Sequence, residues 1–302
     1  MQRRLFMISL DKHYTYDELY DAMELLAAAY SDFLIFRNIG LSHDNRPIPM
    51  IRLGLGEQVL ICTAGVHGRE SANPAVLVRM IEEYSEAYEK RTLLYDIYDV
   101  HKLCNTYSIC FVPLVNPDGY ETALQGFSGI RHPVLRHSMR MKEIDWSVWK
   151  YNARSVDINR NFPCKSYVQQ QPEDYPGSEN ETKALIELFH SYETVAYLDF
   201  HSRGRLIYYY RNAMPFLYNQ KSFRMARQLQ KICHYALGKK EEEFLSVISG
   251  GNSVNYYSET FQKPAITIET VPDEASFPLS VDYQAETYAE IRSIPLAVLK
   301  MS

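Results

Sequence analysis

A histidine and a glutamate three positions apart are the first residues in this chain that could do metal chemistry. His67 and Glu70 lie in the segment Gly65-Val66-His67-Gly68-Arg69-Glu70, directly after an apolar, strand-like run. Imidazole nitrogens and carboxylate oxygens bind zinc, and a catalytic zinc ion keeps three protein ligands and one open position. His201 follows another apolar run and can supply a third ligand, although a single histidine there is more typical of a structural residue. Together the three residues predict a His/Glu/His metal site.

The same spacing recurs at His190 and Glu193, which shows that spacing alone is weak evidence. That second pair ends an amphipathic helical pattern and has no companion ligand in the sequence. His67 differs because it follows a strand and stands between two glycines, which allow close backbone approach. We therefore interpret His190 and Glu193 as a solvated helix face.

A metal-dependent hydrolase also needs a carboxylate base and a cation for the developing oxyanion. Glu269 ends the apolar run 265–268 and is well placed to be the base. The cations are concentrated in the segment 152–163, which holds Arg154 and Arg160 together with Asp157 and three asparagines. Surface polarity is the alternative interpretation of that segment, but apolar residues interrupt it as buried positions would.

The elements that must position these residues alternate between strands and helices. Buried-strand patterns occupy residues 33–38, 48–53, 58–63, 107–115, 195–200 and 265–268. Helical patterns cover residues 15–30, 73–88, 178–191, 222–237 and 283–300, the first and third opened by capping boxes at Thr15/Glu18 and Ser178/Glu181. We expect a turn at 116–119 and long loops at 120–154 and 164–177. This alternation predicts an α/β layer fold with a largely parallel sheet, whose strand carboxyl ends carry the ligand site.

Composition excludes several classes of protein. The chain has 302 residues, of which 46% are hydrophobic and 23% charged, so we expect one folded domain over residues 1–302. A net charge of −5 without a basic stripe argues against nucleic-acid binding, and no apolar run is long enough to span a membrane. The five cysteines are scattered, without a CxxC pair, and favour a cytoplasmic location. A secreted protein whose upstream signal has been removed stays an alternative.

Five short motifs and a final glutamate, in order along nearly the whole chain, resemble the zinc metallocarboxypeptidase family, the relatives of carboxypeptidase A. These are His67-Gly-Arg69-Glu70, Asn116-Pro-Asp-Gly119, Val156-Asp157-Ile-Asn159-Arg160-Asn161-Phe162, Asp199-Phe-His201-Ser202, Ser249-Gly250-Gly251 and Glu269. The resemblance implies a three-layer α/β/α sandwich with a mixed, mostly parallel sheet of about eight strands.

Carried over residue by residue, the resemblance implies one zinc ion, bound by His67, Glu70 and His201. Glu269 would be the general base, and Arg154 would polarise the scissile carbonyl. Asp157 would orient His67. Asn159 and Arg160 would bind the terminal carboxylate of the substrate, and Arg69 would lie along its upstream residues. An arginine suits a carboxylate because its two N–H groups bind both oxygens.

The segment after Gly251, including Ser253, would line the pocket for the leaving residue. It carries no acid to pair a basic side chain and no continuous apolar wall, so a polar leaving residue fits better. One departure is Ser246, where the family often has a mobile tyrosine.

The segment 152–163 looks most like bacterial γ-D-glutamyl-meso-diaminopimelate peptidases. We therefore expect the partner to be a peptidoglycan-derived peptide with a free C-terminal carboxylate, while the oligomeric state stays open. The alternatives are a carboxypeptidase for ordinary peptides, a zinc deacylase of small acyl amino acids and, least favoured, a catalytically silent binding protein.

Overall fold

The centre of the molecule is a mixed β-sheet of eight strands. The computed structural model describes residues 7–169, 175–245 and 250–302. In chain order the strands are β1 (Leu34–Leu41), β2 (Pro47–Leu53), β3 (Gln58–Ala64), β4 (Leu93–Leu94), β5 (Tyr98–Asp99), β6 (Tyr107–Val112), β7 (Thr194–Ser202), β8 (Leu206–Tyr208), β9 (Ala236–Leu237) and β10 (Ala265–Thr270). The short strands β4 and β5 pair only with each other, outside the main sheet.

Helices connect and cover these strands. They are α1 (Tyr16–Ala29), α2 (Ala72–Lys90), α3 (Val100–Thr106), α4 (Pro117–Gln125), α5 (Pro133–Arg140), α6 (Asn180–His190), α7 (Phe216–Cys233), α8 (Lys240–Leu245), α9 (Ser253–Phe261), α10 (Asp282–Ile291) and α11 (Ile294–Met301).

The order of strands across the sheet is β1-β2-β6-β3-β7-β10-β8-β9. The four central strands β6, β3, β7 and β10 run parallel to one another. Antiparallel pairing occurs where β1 and β2 join one side and where β8 joins β10. The predicted mixed, mostly parallel sheet of about eight strands is confirmed, and the central strands are nearly continuous runs of buried apolar residues, as a doubly covered sheet requires.

Each face of the sheet is covered by its own hydrophobic core. Along β3, Leu60 and Cys62 belong to a core shared with α1, α2, α7, α10 and α11, whereas Val59 and Ile61 belong to a core shared with α6 and α9. Alternate residues of a strand point to opposite faces, so this division follows directly from the pleat. The three-layer α/β/α sandwich is thus confirmed.

The two predicted capping boxes have different outcomes. Thr15 caps α1 as predicted, because its side chain accepts from the Glu18 amide while the Glu18 side chain accepts from the Thr15 amide. The box at Ser178 is wrong: α6 begins two residues later, after Glu179, and the Ser178 hydroxyl donates to the Glu179 carboxylate at 2.6 Å.

Two further local predictions need correction. The segment 116–119 is not a separate turn but the start of α4, because the Asn116 side chain accepts from the Gly119 amide and Pro117 suits the first helical turn. The segment 120–154 is not uniformly irregular, since it contains α5 and the end of α4. The final pattern is divided into α10 and α11, with Pro295 in the first turn of the second helix.

Within the described residues, no helix combines the length and hydrophobicity that a bilayer span requires. All five cysteines are free thiols, four of them buried.

Candidate active site

Three neighbouring parallel strands bring the predicted ligands and base together. His67 and Glu70 follow the end of β3, His201 lies near the end of β7, and Glu269 lies near the end of β10. In the register of β7 and β10, Glu269 is paired directly with His201. The carboxyl ends of parallel strands form one edge of the sheet, where ligand sites lie in α/β folds.

A close contact between two glycines fixes the loop that carries His67 and Glu70. A Cβ atom added to Gly68 would lie 2.2 Å from the carbonyl of Gly119 in α4. The Asn116 side chain also donates to the carbonyl of Val66 at 3.1 Å. The motif at 116–119 therefore supports the backbone of the ligand loop.

His67, Glu70 and His201 converge on one point. Their ligand atoms all lie within 4.8 Å of one another. Nδ1 of His67 is 2.7 Å from Oε1 of Glu70, and Nδ1 of His201 is 3.1 Å from Oε2. Two imidazole nitrogens and one carboxylate form the donor set that a catalytic zinc ion takes.

The second nitrogen of each imidazole faces a carboxylate. Nε2 of His67 lies 3.3 Å from Asp157, and Nε2 of His201 lies 3.0 Å from Asp199. Such carboxylates fix the orientation and tautomer of metal-binding histidines. The residues present thus fit a zinc ion both in their donor atoms and in the groups that orient them.

The electrostatics follow from these contacts in the metal-free protein. Burial by itself disfavours a charged ring, but the carboxylates of Glu70 and Asp157 outweigh it and raise the pKa of His67 to about 9. Against the same effect of burial, the imidazoles of His67 and His201 lower the pKa of Glu70 to about 2. Without metal, the triad therefore consists of protonated imidazoles paired with carboxylates. A bound metal ion would displace the protons from the ligating nitrogens.

Glu269 faces this triad from β10. Burial raises its pKa to about 7, and Glu70 adds to this rise while His201 and His67 oppose it. A carboxylate with a pKa near neutrality can both accept and return a proton, which is what a general base and acid must do.

A polar cleft of about 370 Å³ lies beside Asp157. Three cations line it, Lys142, Lys150 and Arg160, together with uncharged residues that include Tyr151 and Tyr167. Asn159 lies next to Arg160 in a short 3₁₀ turn, and its side-chain oxygen accepts from the Ser253 amide at 3.3 Å. Of the predicted carboxylate-binding pair, Arg160 therefore lines this cleft, while Asn159 contacts the backbone of Ser253.

Arg154 has contacts that do not favour the role predicted for it. Its side chain is 47% exposed, and Nη1 lies 3.2 Å from Glu179 in a different group of charges. A cation that does contact a residue orienting the triad is Lys150, whose Nζ is 2.7 Å from Oδ2 of Asp157. Lys150 follows Trp149, a fully buried side chain that anchors this part of the loop.

The other two predicted substrate residues, Arg69 and Ser253, have different surroundings. The Arg69 guanidinium is 4.5 Å from the centre of the Phe277 ring. Ser253 is fully buried, and its hydroxyl donates to Asp199 at 2.7 Å and accepts from Tyr197 at 3.1 Å. Ser246 lies outside the described residues.

Sequence reasoning assigned no role to Asp199 or Lys150. Asp199 could have been found because it precedes His201 by two positions on a strand, and so points to the same face. Lys150 offered no comparable signal, since its position depends on an irregular loop. His190 and Glu193 are bound elsewhere, to Tyr256 at 3.0 Å and to Gln58 at 3.0 Å, in agreement with the interpretation above.

Comparisons with known proteins agree with this geometry. The model of the zinc carboxypeptidase family matches residues 19–291. The γ-D-glutamyl-L-diamino acid endopeptidase 1 of Lysinibacillus sphaericus is 26% identical over 97% of this chain and 74% of its own length. Mouse carboxypeptidase A2 is 25% identical over 69% of this chain, which spans only 49% of that protein.

Solved structures show the same fold. Thrombin-activatable fibrinolysis inhibitor superposes with a TM-score of 0.77 at 19% identity, covering 98% of this chain and 77% of its own. The murein-tripeptide amidase MpaA of Escherichia coli O157 superposes with a TM-score of 0.53 at 20% identity, covering 87% of this chain and 91% of its own. The chain belongs to the zinc carboxypeptidase family and is a metallocarboxypeptidase.

Proposed function

We propose that this enzyme hydrolyses the amide bond to a C-terminal residue, and that its natural substrate is a γ-D-glutamyl-diaminopimelate peptide derived from peptidoglycan. The observation that carries the proposal is the cleft with three cations beside the metal-binding triad. One cation can bind the terminal carboxylate of a substrate, and two are left for a second anionic group on the leaving residue.

In this proposal His67, Glu70 and His201 hold the zinc ion. When bound, zinc supplies a Lewis acid that polarises the scissile carbonyl and stabilises the charge that develops on its oxygen. Asp157 and Asp199 hold the two imidazoles in the ligating tautomer.

Glu269 moves the proton. Its carboxylate accepts a proton from the attacking water as the water oxygen bonds to the carbonyl carbon. It then gives that proton to the amine nitrogen as the C–N bond breaks, which leaves a carboxylic acid and a free amine. The Lys150 ammonium pairs with Asp157 and so helps to hold the carboxylate that orients His67.

Asn159 and Arg160 select the end of the chain. The Arg160 guanidinium binds the terminal carboxylate bidentately, and an internal peptide bond offers no such anion. Diaminopimelate differs from ordinary leaving residues by a distal amino-carboxylate. Lys142 and Lys150 can pair its carboxylate, while the neighbouring hydroxyl and amide groups can accept from its amine.

The name of the Lysinibacillus relative supports this substrate class, because it specifies a γ-D-glutamyl bond to a diamino acid. The test compares three substrates with purified enzyme: L-Ala-γ-D-Glu-meso-diaminopimelate, L-Ala-γ-D-Glu-L-Lys, and an acylated dipeptide with an ordinary C-terminal residue. The lysine peptide is the matched control, since it lacks only the distal carboxylate. We expect the highest kcat/KM for the diaminopimelate peptide.

Equal or faster release from the acylated dipeptide would replace the cell-wall assignment with a general carboxypeptidase. Equal kcat/KM values for the diaminopimelate and lysine peptides would show that the cationic cleft does not bind the distal carboxylate.

A further inference from the structure

A second group of metal-binding residues lies away from the triad. Among the described residues, His43, Glu179 and Glu181 also place one ligand atom each within 4.8 Å of one another. Nε2 of His43 is 3.0 Å from Oε2 of Glu179 and 3.9 Å from Oε2 of Glu181. No residue of this cluster belongs to the proposed active site.

Three separate segments build the cluster. His43 lies between β1 and β2, while Glu179 and Glu181 flank the first residue of α6. The Asn152 side chain donates to Glu179 at 2.7 Å and to Glu181 at 3.2 Å, so it holds the two carboxylates side by side. The ligand atoms are therefore positioned without help from a metal.

Glu181 has an unsatisfied oxygen. The residue is fully buried, and its Oε1 has no hydrogen-bond partner among the described residues. A buried carboxylate oxygen without a partner destabilises the folded protein. A bound cation would satisfy this oxygen.

Among the described residues, the positive charge offered to Glu181 is distant, since Nε2 of His43 lies 3.9 Å from its Oε2. Arg154 pairs instead with Oε1 of Glu179 at 3.2 Å. A bound dication would bring positive charge closer to Glu181.

We propose that His43, Glu179 and Glu181 form a second divalent-cation site. One imidazole and two carboxylates suit zinc, and Mn²⁺ is the next candidate because harder oxygen donors predominate. The His43 side chain is 15% exposed, which leaves a route for the ion from solvent. The cation fastens α6 and the β1–β2 connection to the loop that contains Asn152, and this loop continues to Asp157 and Arg160.

The experiment uses a full-length chain in which the active-site triad is disabled by His67→Ala and His201→Ala. Zinc content after equilibrium dialysis is measured by mass spectrometry, and the Tm is measured with and without added Zn²⁺. We expect one equivalent of zinc and a rise in Tm. Adding His43→Ala or the isosteric Glu181→Gln should abolish both, whereas adding His190→Ala, which alters a histidine of the unrelated pair, should change neither. Mn²⁺ is tested in parallel.

A disabled-triad chain that binds neither metal overturns the proposal, as does binding that survives both His43→Ala and Glu181→Gln. Because either variant could fail to fold, the wild-type protein is also crystallised with zinc. Anomalous scattering at the zinc edge should show a peak between His43 and Glu181, and its absence contradicts the proposal. None of these three readouts depends on peptidase activity.

Discussion

The buried Ser253 hydroxyl donates a 2.7 Å hydrogen bond to Oδ2 of Asp199, the same oxygen that lies 3.0 Å from Nε2 of His201. Oδ1 of Asp199 accepts from Thr63 at 2.6 Å. A residue expected to line the substrate pocket thus supports a metal ligand through one intermediate carboxylate. The first turn of α9 and the metal site are connected by this chain of hydrogen bonds.

Replacing Ser253 by alanine should weaken zinc binding. Loss of one donor leaves Asp199 freer to move and His201 less well oriented, and changes in such outer groups typically cost about 10–100-fold in metal affinity. Competition with a fluorescent chelator measures the affinity. The control is Ser258→Ala in the same helix, whose buried hydroxyl donates only to the carbonyl of Val254. Equal zinc affinities for the two variants would contradict the connection.

Replacing Glu269 by glutamine should abolish turnover while zinc stays bound. Glutamine keeps the shape of the side chain but cannot accept the proton of the attacking water, and removal of a general base costs about 10²–10⁴-fold in rate. Steady-state kinetics and metal analysis are run on the same preparation. Unchanged turnover would remove Glu269 from the mechanism, and loss of zinc would assign it to the metal site instead.

Lys150 and Arg154 can be separated by matched substitutions to methionine. Lys150→Met should lower kcat by about 10–100-fold because it removes the cation that pairs with Asp157, the carboxylate that orients His67. Lys150→Arg, which keeps the charge, should restore part of the activity. Arg154→Met should change kcat by less than about threefold, since Arg154 pairs with Glu179. The reverse pattern would return the carbonyl-polarising role to Arg154.

The activity should fall on acidification. Burial raises the pKa of Glu269 to about 7 in the metal-free protein, and a bound dication lowers it because it favours the ionised form. Glu269 must be ionised to act as a base, so log kcat/KM should decline below a pKa at or under that value. Rates measured between about pH 5 and pH 9 test this, with Lys142→Ala as a variant that should keep the same acid limb. A flat profile across this range would contradict the assignment.

Replacing Gly68 by alanine should destabilise the fold and lower zinc affinity. The new Cβ would lie 2.2 Å from the backbone of Gly119, so one of the two segments must move. Overpacking of this kind costs about 1–3 kcal/mol in the free energy of unfolding. Gly129→Ala is the control, because its Cβ would meet neighbours no closer than 3.5 Å. Urea unfolding of both variants measures the difference.

The parts of the fold that could be predicted from sequence are those in which local pattern and burial agree. The strand before His67 and the strand containing Asp199 and His201 are apolar runs ending in polar residues, so the sequence predicts both the sheet and the edge that carries the ligands. The sequence does not predict the helix boundary at Glu179, because a serine and a glutamate in capping-box spacing also fit a start two residues too early.

The predicted side-chain positions differ from those in the structure where side-chain direction depends on irregular backbone. Arg154 and Lys150 lie in one loop four positions apart, and composition alone does not say which of them turns toward Asp157. His43 is separated from Glu179 and Glu181 by more than a third of the chain, so nothing local to any of them marks the second cluster. Distant contacts of this kind follow from the packing of the layers.

Gly68 and Gly119 restrict how this chain can change during evolution. A side chain at Gly68 would meet the backbone of Gly119, and one at Gly119 would meet Asn116 and the carbonyl of Tyr151, so a substitution in either motif demands movement of its neighbours. A protein engineer who transplants the ligand loop into another scaffold must therefore also transplant the start of α4. The smallest portable unit of the ligand loop is the loop together with the start of α4, whose backbone fixes its path.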